Sequence, residues 1–545
     1  MTAQNFSLQS LKNLLRQIDW KLLLFLIIFL NVKLLVKIVA VTIIYLLRPD
    51  WKLGMSWNNS RLPLFYVLIP AIAIINGFFY GSFTSAPNII AIATGIGFWI
   101  LCLLAVHQVK LSVEQNNVAV LHNTVLVFFA INIFFSLLNL ANIVFEIGDI
   151  NPYRYQGNFQ KYFIGTGDYI KGVSFDTSTT NAVINAFAVV YFLTREKAIW
   201  VLLSMTGLLL TGSNFTNLIL LSTLALLFIF KSSANQKSLI IVCSAMLVIF
   251  LSKVSPQNDT YILTGLNNYL FHQKSVVQPA AAIVRITERE DSSLSEEEKM
   301  QKIAQLYLDS LSVVEAKDKM VMAEDSARTK PVIPAPSIHS VPFQRKHDTS
   351  ELQKTLTTFA NANQISLFPI ESPGRNNLHL GKLVGAAETI NFFKSHPKKI
   401  ITGNGIGNFS SKLAFRTAAL NIVGGYPTNL RYINEDFKNN HLSLFLSYFT
   451  RDKENHSIIN SPNSTYDQLL SEYGLLGVAF FFIFYIGFFI SNIKKLTYGI
   501  PLLLLLGAVF FVEYWFEQLS VVIIFELLLL LNIKEPGESL NTSNG

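Results

Sequence analysis

What most constrains this chain is the number of its long apolar runs. Residues 64–83, 89–106, 124–145, 239–251, 475–490 and 500–512 form six of them, and residues 182–193, 199–210, 218–230 and 519–531 add four more. A bilayer core about 30 Å thick takes roughly 20 helical residues, so the shorter runs must borrow flanking residues or tilt. Any one run fits the buried helix of a soluble protein, but ten in one chain do not. Composition agrees: 51% hydrophobic with 14% charged residues is too apolar for a soluble chain of this length. The first apolar region, residues 20–47, is either one long tilted helix or a tight helical hairpin around Asn31. The expected fold is therefore an all-α polytopic membrane protein with about 11–12 transmembrane helices and one long external loop.

Charge in the short loops sets the expected orientation. Arg48, Lys52 and Arg61 share one loop, Arg195 and Lys197 another, Lys231 and Lys237 a third, and Lys494 and Lys495 a fourth. Placing all four inside satisfies the positive-inside rule. Residues 148–180 and the long segment 255–462 then lie outside. The hairpin form of residues 20–47 keeps the N-terminus, with Lys12, Arg16 and Lys21, inside as well. No small-residue cleavage site follows that region, so no removable signal is expected. The organisation reads as N-terminal membrane helices over 1–254, the external loop over 255–462, C-terminal membrane helices over 463–533 and a disordered tail over 534–545. Within the loop, mixed charge and prolines make 285–348 a flexible insertion, while aromatics, glycine and asparagine make 365–462 an ordered cap.

Two classes of function fall away. Cys102 and Cys243 both sit in apolar runs, so they supply neither a disulfide framework for the loop nor a cysteine metal site. A formal charge of +8 is ordinary for a membrane protein with basic inner loops and makes no case for nucleic-acid binding.

The densest polar signal is Asn460 to Gly477, N-S-P-N-S-T-Y-D-Q-L-L-S-E-Y-G-L-L-G, where the loop meets an apolar helix. Thr465 and Gln468 have capping-box spacing, and a helix starting there would align Asn463, Asp467, Leu470 and Gly474 on one stripe. Gly474 and Gly477 would leave a notch for close approach of another helix. The Glu-Tyr-Gly-Leu-Leu-Gly passage resembles the signature of the O-antigen ligase and polymerase family, multi-spanning enzymes that use lipid-linked glycans. Residues 386–409, A-A-E-T-I-N-F-F-K-S-H-P-K-K-I-I-T-G-N-G-I-G-N-F, are similar to that family's amphipathic helix and glycine turn. Gly172–Asn181 is similar to its external turn before a membrane helix, and Thr211-Gly212-Ser213-Asn214 stands where a Thr-x-Ser-Arg turn is usual, with Asn214 in place of Arg.

The resemblance implies a glycan donor on undecaprenyl pyrophosphate and a glycan hydroxyl as acceptor. The leaving diphosphate needs preorganised positive charge, which calls for neither metal nor cofactor. Arginine suits two phosphate oxygens better than lysine. Arg416, Arg431 and Arg154 are the expected diphosphate ligands, the bland reading of each being a solvated surface arginine. The family's His is replaced by Asn463, which can orient a hydroxyl but not take its proton. His456 and Glu472 are the candidate bases, and Tyr466 would stack on a sugar or anchor the helix at the interface. This departure favours a polymerase of lipid-linked repeat units over a ligase, with polysaccharide export proteins as possible partners. A lipid-linked-sugar transporter and a non-catalytic export subunit stay open.

Overall fold

The computed structural model describes residues 17–54, 61–79, 83, 85–148, 150–154, 170–230, 232–255, 381–418, 426–442, 444–445 and 461–543. Among them there is no β-strand, and the chain is an all-α polytopic membrane protein. The helices are α1 (Trp20–Phe29), α2 (Leu34–Leu47), α3 (Phe65–Phe79), α4 (Ala86–Gln115), α5 (Val118–Ile147), α6 (Ser178–Thr194), α7 (Ala198–Leu210), α8 (Asn214–Phe230) and α9 (Ala234–Ile249). After the loop come α10 (Gly381–Ser395), α11 (Lys412–Thr417), α12 (Glu435–Asn440), α13 (Thr465–Phe480), α14 (Gly499–Val509), α15 (Trp515–Gln518) and α16 (Ser520–Ser543). Among the described residues, four helical stretches are long and apolar enough to cross a membrane: Ala86–Gln115, Val118–Glu146, Ala234–Val254 and Thr465–Ile490. Seven shorter apolar helices of 10–17 residues among the same residues pack with the bundle.

The hairpin form of residues 20–47 is the one adopted, since α1 and α2 are separate helices that pack on each other. Lys37 makes the corner possible: its Nζ donates to Phe29 O, an orphan carbonyl at the end of α1, at 2.8 Å and to Ser520 Oγ at 3.1 Å. This buries a lysine that the sequence places near the outer face.

Two helices form the centre of the bundle. Residues 182–193 of α6 and 521–531 of α16 are buried on every side, which explains why both are apolar all round apart from Asn185 and Glu526. Large apolar side chains elsewhere face outward, among them Leu46 on α2, Phe79 on α3, Phe145 on α5 and Phe230 on α8. Such a belt is what a lipid-facing surface requires. At the basic end, Arg48 pairs with Asp19, Arg61 with Glu114 and Arg195 with Glu535. There α16 continues to Ser543 through the segment whose sequence predicts a tail. Lys534 donates to Val113 O at 2.7 Å at the end of α4, and Glu535 binds Arg195 and the Tyr498 hydroxyl. These bonds hold the helix beyond the apolar run.

Candidate functional site

The site lies where α10, α11 and α12, together with the glycine turn, dock on the end of the bundle opposite those paired arginines. Residues 285–348 lie outside the described residues. Of the expected cap, helix α10 begins at Gly381, five residues before the amphipathic stretch read from sequence, and a 3-10 turn at Pro397–Lys399 leads to the glycines. Gly403, Gly405 and Gly407 have φ of +77°, +92° and +71°, the left-handed backbone that their pattern predicts.

What the glycine turn does is visible only in three dimensions. Helix α13 is broken at Gly474, where φ is +67° and ψ −164°. The break strands backbone groups that the turn satisfies. Asn404 N donates to Ser471 O at 2.8 Å and Gly405 N to Glu472 O at 3.0 Å, while Leu475 N donates to Ile400 O at 2.9 Å and Leu476 N to Ile401 O at 3.0 Å. A Cβ on Gly403 would overlap the Glu472 backbone, and one on Gly474 would overlap the Ile401 carbonyl. The notch at Gly474 is therefore filled by a backbone turn, not by another helix. The stripe read from sequence also changes: Ser464 is the N-cap without a side-chain capping bond, Asn463 lies before the helix, and Gly474 is not helical. Thr465 spends its hydroxyl on Glu513 O at 2.6 Å, and the Gln468 amide goes to Glu517, so the capping box does not form.

Carboxylates gather beneath the turn. Glu472 is fully buried, and its Oε1 accepts from Phe409 N at 3.2 Å. The half-buried Glu517 accepts from Gln468 Nε2 at 2.6 Å and from Leu413 N at 3.0 Å. Glu513, also half-buried, accepts from Asn463 Nδ2 and Gln518 Nε2, each at 3.1 Å. The charges acting on Glu517 come from Glu472, Arg416 and Lys412.

A second cluster couples the cap to α13. His441, fully buried after α12, bonds through Nδ1 to Glu388 Oε2 at 2.7 Å and through Nε2 to Ser410 Oγ at 3.2 Å. Its Nε2 is 4.0 Å from Asp467 Oδ2, and Asp467 Oδ1 accepts from Thr389 Oγ1 at 2.7 Å. Burial by itself lowers the His441 pKa, but the Glu388 bond and the charges of Glu388, Asp467 and Glu472 more than offset it and raise it. Lys382 is buried with Nζ on Ser461 O and Ser461 Oγ at 2.9 and 2.8 Å, and burial lowers its pKa to about 7 against the pull of Glu513.

The expected site residues divide into groups. Arg416 on α11 is half-buried and Arg431 exposed, and among the described residues neither guanidinium has a hydrogen bond or ion pair. Backbone bonds draw their segments together: Tyr426 N donates to Arg416 O at 3.0 Å and Tyr432 N to Thr417 O at 2.9 Å. Asn463 and Glu472 join the carboxylate cluster. Tyr466 turns its hydroxyl to Gly507 O at 2.7 Å and packs its ring on Phe481 and Phe510, which ties α13 to α14. Arg154 ends a separate 3-10 turn, Pro152–Arg154. His456 lies outside the described residues. Sequence reasoning missed His441, Glu388, Lys382, Ser410 and Gln518. His441 follows Asn439-Asn440 with no motif around it, whereas Glu513 and Glu517 at the end of an apolar run were a usable signal.

Comparison with protein-family models, curated proteins and solved structures finds no match for this chain.

Proposed function

We propose that this protein is a membrane glycosyltransferase that lengthens a glycan carried on undecaprenyl pyrophosphate, acting at the outer face of a bacterial inner membrane. The observation that carries this reading is the sorting of charge at the capped end of the bundle. Two arginines without hydrogen-bond or ion-pair partners among the described residues, Arg416 and Arg431, lie on segments joined by backbone bonds, and the charge of Arg416 acts on Glu517 of the carboxylate cluster. The arginines on the opposite end (Arg48, Arg61 and Arg195) are all neutralised by carboxylates. Guanidinium groups without a pairing partner among the described residues suit the diphosphate, whose negative charge grows as the glycosidic bond breaks.

In this reading the acceptor hydroxyl oxygen bonds to the anomeric carbon of the donor. The bond from that carbon to the diphosphate oxygen breaks, and undecaprenyl pyrophosphate departs with the electron pair. A carboxylate takes the hydroxyl proton. Glu513 suits this role, being half-exposed with its Oε2 fixed by Asn463 and Gln518. Glu472 is committed to the Phe409 amide and supports the glycine turn instead.

The test is the size distribution of lipid-linked glycan in cells carrying Arg416→Ala or Arg431→Ala, with membrane insertion checked by immunoblot. Single repeat units accumulating on the lipid support the reading. Normal chain length in both variants refutes the diphosphate assignment. Long chains kept on the lipid but absent from their final acceptor would indicate a ligase. A transport reading draws on Glu526, buried inside the bundle and bonded to Tyr66, since ionisable groups at that depth commonly line transport routes. Short units trapped on the inner leaflet would favour it.

A further inference from the structure

Helix α10 carries polar groups on its buried face and apolar ones on its exposed face. Toward α13 it turns Lys382 and Thr389, bonded to Ser461 and to Asp467, together with Phe392 and Phe393. Away from the bundle it turns Leu383, Ala387 and Ile390, a single stripe at i, i+4 and i+7 that ends at Lys394. Leu383 is 55% exposed and Ile390 50%. Beyond the 3-10 turn, Ile401 is 58% exposed, and its carbonyl accepts from Leu476 N beside Leu475, which is 53% exposed. A helix lying in water has the reverse arrangement.

The depth of α10 gives the reason. Lys494, Lys495 and the Tyr498–Glu535 bond mark the basic end of the bundle where α14 begins. Helix α14 has 11 residues, so at 1.5 Å per residue it rises only about 16 Å from that end. Thr465 N donates to Phe510 O at its top at 3.0 Å, and Tyr466 bonds Gly507 O and packs on Phe481. A straight α13 would hold Tyr466 and Phe481 more than about 20 Å apart, so the break at Gly474 is a sharp bend. The first half of α13 therefore starts roughly half way through a core about 30 Å thick and climbs to Gly474. Helix α10 runs beside it, with Lys382 at Ser461, Thr389 at Asp467 and then Ile400 at Leu475.

We infer that α10 is sunk into the half of the bilayer away from the basic end, and that Leu383, Ala387, Ile390, Ile401 and Leu475 form a lipid-binding stripe filled by acyl chains. The stripe is continuous with the lipid-facing belt, because Leu475 opens the membrane-spanning half of α13, which exposes Phe482 and Ile483 farther along. Lys394 stands at the end of α10 nearest Gly474, where its long stem lets the ammonium reach headgroup phosphates. A docked protein is a poorer match, since the stripe offers leucine, alanine and isoleucine but none of the Trp, Tyr or Arg anchors that dominate such interfaces. The inference stands on the helix depths alone and does not depend on the reaction the protein performs.

The test uses the full-length protein in phosphatidylcholine vesicles, with Cys102→Ala and Cys243→Ala removing both native thiols. A nitroxide is attached at Leu383→Cys, Ile390→Cys or Ile401→Cys, and its collisions with oxygen, which concentrates among acyl chains, are compared with those of a water-soluble nickel complex. Ile483→Cys is the lipid reference, and Glu435→Cys, exposed on α12, is the aqueous one. The ratio of oxygen to nickel collisions at the three stripe positions should exceed that at Glu435→Cys about threefold or more and approach that at Ile483→Cys. A ratio like that of Glu435→Cys overturns the inference by placing α10 in water. Low collision rates with both reagents overturn it too, because protein then covers the stripe. The unmodified protein gives a second reading that needs no substitution. A diazirine dissolved in the acyl chains and photolysed should label residues 383–401 as it labels Phe482 and Ile483. Label on the latter pair alone overturns the inference even if a cysteine variant fails to fold.

Discussion

Replacing Gly474 with alanine should release the cap from the bundle. The residue sits at φ +67° and ψ −164°, a region essentially reserved for glycine, and a side chain forced there costs about 1–3 kcal/mol. The added Cβ also overlaps the Ile401 carbonyl and crowds Gly403 N, so the turn must move away. That movement gives up the bonds from Leu475 N and Leu476 N, each worth about 0.5–1.5 kcal/mol net. Together these give roughly 2–6 kcal/mol, and a central value of about 4 corresponds to about a thousandfold in an opening equilibrium. Hydrogen exchange in detergent micelles, followed by mass spectrometry, reads this at the amides of Asn404, Gly405, Leu475 and Leu476. Gly403→Ala should have a similar effect from the other side of the contact, since its Cβ meets the Glu472 backbone. Gly97→Ala is the control, because nothing lies within 4 Å of the position its Cβ would take. Unchanged protection of the four amides in both Gly474→Ala and Gly403→Ala would refute the claim that the turn completes the broken helix.

Two further predictions concern pH and one concerns the reaction. The His441 pKa is raised in the folded cap, so its stabilising effect is complete below the unfolded value of 6.5 and is lost as pH rises through the folded value. Protease protection of the cap should fall over that rise, and His441→Gln should be less stable at low pH and lack the dependence. Lys382 has the opposite sign: its folded pKa of about 7 lies below 10.5, the unfolded chain holds more protons between the two, and cap stability gains up to about 1.4 kcal/mol per pH unit there. Lys382→Met should flatten that gain in a thermal-melt series, and an unaltered slope would show that the ammonium is not buried as described. Glu513→Gln should lower the rate of glycan lengthening about 100-fold or more while leaving donor binding within threefold, as removal of a general base does. An undiminished rate would move the proton acceptor elsewhere.

The sequence by itself determined the bilayer as solvent, the helical class and the places where the chain turns. These follow from local properties: apolar length sets a span, glycine permits positive φ, and polar residues mark helix ends. The positive φ at Gly403, Gly405 and Gly407 and the corner near Asn31 were legible for that reason. Arg416 and Arg431 were legible as residues, though not as neighbours across the bonded backbone of Thr417 and Tyr432. Only the tertiary structure decided what the glycines are for, because Gly403 and Gly474 let the turn and the broken helix approach backbone to backbone, and nothing in the sequence shows that residues 400–405 complete the hydrogen bonds of residues 471–476. The same holds for His441, whose charge is set by Glu388 and Asp467 from two other helices, and for Gln518, which looks ordinary until its amide is committed to Glu513. Burial and pairing are properties of contacts between distant segments, and no local pattern encodes them.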